Sequence, residues 1–269
     1  MSVDHALPEE TRRIAIDHHH DLAPKFESHY REMAASRFTN AFTYGRAKVD
    51  VLLESELKRL EPGATVLDVG CGTGAYLKRF QELGFTAVGV EPARGMRELA
   101  LRDNPGVRIE EGIATALPLA DASVDFVSVI EVFRYLHLRD TRLALAECFR
   151  VLRPGGILFF TMVNRWALDG FYVLQRARQA LLRRRFTRKH PHCEFFTPAE
   201  VKSDLEAAGF TQVKTVGRLF APMRMVYKVN HALAAKVARV VEPIDDLVHE
   251  LPLATAFAGH LVAVAVRPR

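Results

Sequence analysis

Asp68 is followed by glycines at positions 70, 72 and 74, and a second acid, Glu91, closes the next apolar run. These residue types bind ligands rather than break bonds. Glycines permit positive φ and let backbone N–H groups approach a ligand closely, and a carboxylate at a strand end can accept both hydrogens of a ribose diol. Gly70, Gly72 and Ala75 also satisfy the relaxed dinucleotide pattern G-x-G-x-x-G/A, with Glu91 about where the ribose-binding acid of that pattern is expected. On spacing alone the stretch is a nucleotide-type cradle. An NAD(P)-dependent oxidoreductase is one reading of it.

Positioning these groups requires strands that end where they stand. In ATVLDVGCGTGAYLKRF, Ala64 to Phe80, the residues Val66, Leu67 and Val69 suit a strand buried on both faces, and a helix starts at Ala75. FTAVGVEPARGMRELA repeats the arrangement, with a strand ending at Glu91 and Pro92 opening the next helix. Val107 to Glu111 reads as a third strand and Val124 to Ile130 as a fourth, continuous and apolar. Leu143 to Leu152 forms an amphipathic helix that runs through a Pro-Gly-Gly turn into a fifth strand, in RVLRPGGILFFTMV. Thr197 and Glu200 make a capping box for a helix ended by Gly209. Thr211 to Phe220 and Leu261 to Arg267 supply the sixth and seventh strands. Strands alternating with helices predict an open α/β sheet that binds ligands at its carboxyl edge, where Glu131 to His137 also fall.

The glycine loop, the Glu91 strand and the helix, turn and fifth strand together resemble the class I S-adenosylmethionine-dependent methyltransferases over Ala64 to Val163, in particular the small-molecule, ubiquinone-biosynthesis-like type. That resemblance implies a Rossmann-like, seven-stranded, mostly parallel sheet with helices on both faces, an antiparallel last strand and helical insertions forming a substrate cap. It implies S-adenosylmethionine as cofactor, cradled by Asp68, Gly70, Cys71, Gly72 and Gly74, with Glu91 on the ribose hydroxyls and Pro92, Met96 and Ile130 alongside. An N-terminal segment that folds over the cofactor would bring Arg46 to the methionyl carboxylate. Such methyltransferases usually carry an acid where Ile113 stands. Ile113 and Ala114 therefore have only backbone and apolar contact to offer the adenine. The reaction implied is direct displacement onto a small-molecule or lipid-type acceptor, and Tyr135 and His137 are the candidate bases, followed by His190 and His192. A non-catalytic module that binds S-adenosylmethionine or a partner is the other alternative.

A chain of 269 residues with 49% hydrophobic content can bury one large core. We expect an N-terminal helical lid over residues 1–60 and one methyltransferase domain over 61–269, with helical insertions at about 166–194 and 222–258. Tyr44, Gly45 and Arg46 read as a polar loop before a helix of core leucines. His18, His19 and His20 are consecutive and so diverge on a helix, which predicts a solvated face and no metal site. Three cysteines without C-x-x-C spacing, no signal peptide and no apolar run that spans a bilayer predict a cytoplasmic protein with reduced thiols. The net charge of +5 is local, since Gly170 to Cys193 holds seven Lys or Arg and no acid. Arg183, Arg184, Arg185, Arg188 and Lys189 suit a solvated face, an anionic substrate or carrier protein, or an anionic membrane touched by Phe171, Tyr172, Leu174, Leu181 and Leu182. Nucleic acid is not expected, because few aromatics interleave those cations.

Overall fold

The computed structural model describes residues 8–168, 170–181, 191–219, 223–248 and 251–269. Two helices open it, α1 (Pro8–Ala35) and α2 (Ala41–Leu57). The core then alternates β1 (Thr65–Val69), α3 (Ala75–Glu82), β2 (Thr86–Val90), α4 (Arg94–Asp103), β3 (Arg108–Glu110), β4 (Val124–Val129), α5 (Leu138–Val151) and β5 (Leu152–Val163). After α6 (Gly170–Leu181) come α7 (Pro198–Ala207) and β6 (Thr211–Arg218), then α8 (Met223–Val229), α9 (His231–Val248), α10 (Pro252–Phe257) and β7 (His260–Val266). The basic run Arg183 to Lys189, with Leu182 and His190, lies outside the described residues, as do the side chains of Phe171 and Tyr172.

The sheet order is β3-β2-β1-β4-β5-β7-β6. The first five strands are parallel, and β7 runs antiparallel between β5 and β6. The sheet is the Rossmann-like, mostly parallel one that the resemblance implied, with one antiparallel strand near its end. Two apolar clusters fill its faces. Leu67, Val69, Val127, Phe160 and Leu205 belong to one, and Val66, Leu77, Phe80, Phe126 and Phe159 to the other. Alternate residues of β1 and β4 thus point to opposite faces, and both faces are buried, which explains why these strands are unbroken apolar runs.

Register decides what gathers at the carboxyl edge. Because β7 is antiparallel to β5, Val163 at the end of β5 pairs with His260 at the start of β7, and His260 also pairs with Arg218 at the end of β6. His260 therefore lies at the same edge as the residues that follow β1, β2 and β4.

The N-terminal region departs from expectation at Tyr44-Gly45-Arg46, which lies inside α2 rather than in a loop. Asn40 accepts from the N–H groups of Phe42 and Thr43 at 2.9 and 3.0 Å, and its own N–H donates to Thr43 Oγ1 at 3.0 Å. That reciprocal cap starts the helix early enough to absorb the glycine. Gly45 is tolerated there because Leu219 packs against it, so closely that a Cβ would lie 3.3 Å from Leu219 Cδ1. Buried Lys48 ties α2 to the second insertion, bonding Asp246 at 2.8 Å and Glu242 at 3.1 Å.

Candidate functional site

After β1 the chain turns through three left-handed glycines, Gly70 (φ 71°), Gly72 (φ 56°) and Gly74 (φ 81°), before entering α3. They differ in what surrounds them. A Cβ on Gly70 would lie 2.4 Å from Val132 Cγ2 and one on Gly74 would lie 2.4 Å from Asn104 Nδ2, whereas nothing stands within 4 Å of one on Gly72. Gly70 and Gly74 serve packing, and Gly72 leaves the loop open. Glu91 is buried beside it and accepts from Gly72 N at 2.9 Å and Ala93 N at 2.8 Å. Burial pushes its pKa up to about 7 against those two hydrogen bonds. Asp68 is also raised to about 7 by burial, opposed by Ser128 Oγ donating at 2.7 Å and by the charge of Arg46.

A cavity of about 270 Å³ opens over this loop. Met96, Ile113 and Ala114 give it an apolar wall, and α1 covers it with Arg12, Ala15, Ile16 and His19. Contacts to α5 and α4 help to hold the helix there. Arg12 bonds Asp140 at 3.0 Å, and Gly95 N at the start of α4 donates to His20 Nδ1 at 3.0 Å. His19 Nδ1 lies 2.7 Å from the Ala15 carbonyl, which can only accept, so the proton is on Nδ1 and Nε2 is an acceptor. Its ring stands edge-on to Tyr135 with centroids 4.8 Å apart. Burial lowers the His19 pKa to about 4, and burial raises that of Tyr135, so both are neutral near pH 7.

At the end of β4 stands Glu131, a non-glycine residue held at φ 62°. That conformation costs energy and is kept here by contacts on every side. Its N–H donates to Thr161 Oγ1 at 2.8 Å, and its carboxylate meets Arg134 at 2.9 Å and His260 Nε2 at 2.9 Å. Burial alone would raise its pKa, but His260, Arg134 and Arg46 outweigh it and hold the carboxyl well below the usual range. Glu131 is therefore ionised at the middle of the carboxyl edge. A second chamber, of about 640 Å³, adjoins the first and shares Phe42, Arg46, Glu131 and Arg224 with it.

The methyltransferase-domain family profile matches residues 67–160, the segment from β1 to β5 that carries the glycine loop and Glu91. The ubiquinone biosynthesis O-methyltransferase of Azorhizobium caulinodans is 32% identical over 184 residues, covering 65% of this chain and 72% of the relative. The chain belongs to the class I S-adenosylmethionine-dependent methyltransferases. The enzyme of the same name from Dinoroseobacter shibae is 30% identical, with 65% of this methyltransferase and 72% of that protein covered. Among solved structures, a possible histamine N-methyltransferase from Thermotoga maritima superposes with a TM-score of 0.59 at 20% identity, over 93% of this chain and 99% of that one. Phosphoethanolamine N-methyltransferase 2 of Haemonchus contortus, in complex with S-adenosylmethionine, gives 0.55 at 17% identity, over 80% and 52%. Likeness at that identity is likeness of fold. The methyltransferase takes its methyl group from S-adenosylmethionine.

Of the residues expected at the methyltransferase's site, Asp68, Gly70, Cys71, Gly72, Glu91, Pro92, Met96, Ile113, Ala114, Ile130, Arg46 and Tyr135 all line the first cavity. Gly74 and His137 do not. Gly74 faces α4, packed against Asn104 and Ala100. His137 is the N-cap of α5, where Nδ1 faces Arg139 N, and its ring stacks on His192 at 6.2 Å. His192 is itself buried against Glu194, 3.1 Å away, and lines neither cavity. Neither histidine lines the cavity over the glycine loop. The three consecutive histidines diverge as expected of a helix, and the face they form is only partly solvated, with His20 exposed. His19 enters the cavity and His20 clamps α4, because the helix carries them over the sheet edge.

Glu131 and Arg134 entered the sequence reading only as part of the run Glu131 to His137 after the fourth strand, with no role of their own. Arg12, His19, Arg224 and His260 had no part in the sequence reading of the site. Those four come from α1, α8 and β7, and only pairing and packing bring them together.

Proposed function

We propose that the enzyme methylates a small-molecule acceptor bearing a hydroxyl group, with the cofactor held in the first cavity. The residues there fit S-adenosylmethionine. The open face at Gly72, the one of the three glycines after β1 with nothing within 4 Å of its Cβ direction, carries the reading. It leaves the Glu91 carboxylate, which lines the cavity, within reach of a ribose diol, while Met96, Ile113 and Ala114 offer an adenine the flat apolar contact it needs. Asp68 puts negative charge toward the cationic end of the cofactor. The burial of Arg46 beside the Phe42 and Tyr76 rings, 5.5 and 5.3 Å away, in the cavity wall supports its assignment to the carboxylate.

When bound, the cofactor supplies a methyl group already activated on a sulfonium. The protein's own work is alignment and exclusion of water, which contribute up to roughly 7–11 kcal/mol in favourable cases. α1 covers part of the cavity. His19 Nε2 and the Tyr135 hydroxyl face the space beyond the glycine loop, where a neutral imidazole accepts the hydrogen bond of an acceptor hydroxyl and so orients its oxygen. The names of the relatives at about 30% identity, which are O-methyltransferases, agree with an oxygen acceptor.

Calorimetric titration with S-adenosylmethionine, S-adenosylhomocysteine, NAD and NADP tests the cofactor site. We expect micromolar binding of the two sulfur compounds, none of the dinucleotides, and a loss on Glu91→Ala of about 1–3 kcal/mol, as for a hydrogen bond to a charged group. Unchanged affinity in a folded Glu91→Ala protein sinks the assignment.

A further inference from the structure

The large apolar side chains of α9 point away from the protein. Its buried residues are Ala234, Ala238 and Asp245, so it packs inward on small side chains and one acid. Leu233, Val240, Ile244 and Leu247 are 52%, 71%, 58% and 81% exposed. Successive spacings of seven, four and three residues put all four in one stripe along the helix. Lys236 and Pro243 are exposed on the same stripe. Val229 just before the helix and Leu251 just after it are exposed as well. Single exposed leucines need no explanation, but an apolar stripe running the length of a helix marks a contact surface.

We infer that a second copy of this chain docks on the stripe, giving a two-fold dimer in which α9 packs antiparallel against itself. The stripe is self-complementary when reversed. Val240 lies seven residues from Leu233 and seven from Leu247, so two antiparallel helices that meet at Val240 pair each Leu233 with Leu247 of the other copy. Val229 and Leu251 stand eleven residues to either side of Val240 and extend the match at both ends. Charge fixes the direction. Lys236 and Arg239 lie in the first half of α9, and Glu242, Asp245 and Asp246 in the second. Parallel pairing would set like halves together, whereas antiparallel pairing sets each Lys236 across from Asp246 of the other copy. Asp246 is 48% exposed and already bonds Lys48 at 2.8 Å, and a carboxylate can accept from a second cation. Three acids to two cations also make this helix a poor fit to an anionic lipid surface. An isologous contact of this kind closes at two chains. Tyr227 of α8 and His231 at the start of α9 line the second chamber, so the dimer braces from outside the insertion that walls it.

Analytical ultracentrifugation of the full-length protein at concentrations up to about 100 µM reads the oligomeric state. We expect a monomer–dimer equilibrium. Val240→Glu sets two like charges face to face on the two-fold axis and should raise the dimer Kd at least about tenfold, with a thermal melt showing that the variant is folded. Cross-linking reads the register independently. Cys71, Cys148 and Cys193 are buried, so cysteines introduced on the stripe can be oxidised selectively. Val240→Cys should form a disulfide-linked dimer. Leu233→Cys should do so only when combined with Leu247→Cys, because antiparallel copies hold their two 233 positions about 21 Å apart along the helix. A protein that stays monomeric over the whole range overturns the proposal, as does a dimer indifferent to Val240→Glu. Cross-linking of Leu233→Cys alone means parallel pairing and equally overturns it. A monomer that co-sediments with vesicles of phosphatidylglycerol and phosphatidylcholine, and loses that binding on Val240→Glu, would assign the stripe to a lipid surface instead.

Discussion

Two glycines of one loop separate binding from folding. Gly72→Ala puts a methyl group into open space at φ 56°, so it meets only the backbone penalty, about 1–2 kcal/mol, and fills the cradle. Gly70→Ala meets the same penalty and drives its methyl into Val132. We expect Gly72→Ala to melt close to the parent and to bind S-adenosylmethionine at least about tenfold more weakly, and Gly70→Ala to lose stability first. Thermal melts beside titrations give the comparison. Glu91 adds a pH dependence. Burial holds Glu91 near 7 in the free protein, and hydrogen bonds from a ribose diol favour its ionised form, so affinity should rise between about pH 6 and pH 8 with proton release on binding. Without ligand the sign for stability is the reverse. The raised pKa values of Asp68 and Glu91 contribute stability that is full below about pH 4 and lost as pH rises through about 7. Affinity for S-adenosylmethionine that stays flat with pH in the parent, or a Glu91→Gln variant that keeps the parent's slope, would count against Glu91 as the ribose acceptor. Asp68 and Glu91 were legible in the sequence because each ends a strand next to glycine or proline. His19, Arg224 and His260 were not, since no local pattern marks a residue whose partners lie a hundred or more positions away.

α1 lies over the first cavity and is tied to the core in part by Arg12 and His20, and we propose that its closure sets how long the cofactor stays. Arg12→Ala removes the ion pair to Asp140, which is buried, and should loosen α1 by about 1–2 kcal/mol. The expected outcome is S-adenosylhomocysteine dissociation faster by roughly 5–30-fold, read by stopped flow, with faster proteolysis within α1. Unchanged dissociation would mean that α1 covers the cavity without gating it. The strands of the core were readable to within a residue or two from apolar runs and the glycines and proline that end them. Element boundaries failed where a cap or a tertiary contact overrode local propensity. Gly45 suggested a loop, but the Asn40 and Thr43 cap and the packing of Leu219 keep it helical. The division of the second insertion into α8, α9 and α10 was hidden by composition, because a stretch rich in Ala, Val and Leu does not announce its own breaks.

On the scale of the whole molecule, the first cavity joins parts of the chain that have no other reason to move together. Its walls come from α1, from the ends of β1, β2 and β4, and from Arg224 of α8, so a ligand that fills it bridges the N-terminal helices, the sheet and the second insertion. Binding to the folded state alone stabilises by mass action, about 2.7 kcal/mol at a hundredfold excess over Kd. For a chain of this size that corresponds to a rise in Tm of about 5–10 °C. The distribution of that gain is the sharper test. Hydrogen exchange should slow in α1, in the glycine loop and in α8. It should change little in α7 and in the paired body of β6 and β7, which are remote from the cavity and already held by the sheet. NAD at the same concentration should leave both Tm and exchange unaltered. A Tm shift with protection confined to the glycine loop would mean that the cofactor binds without closing α1.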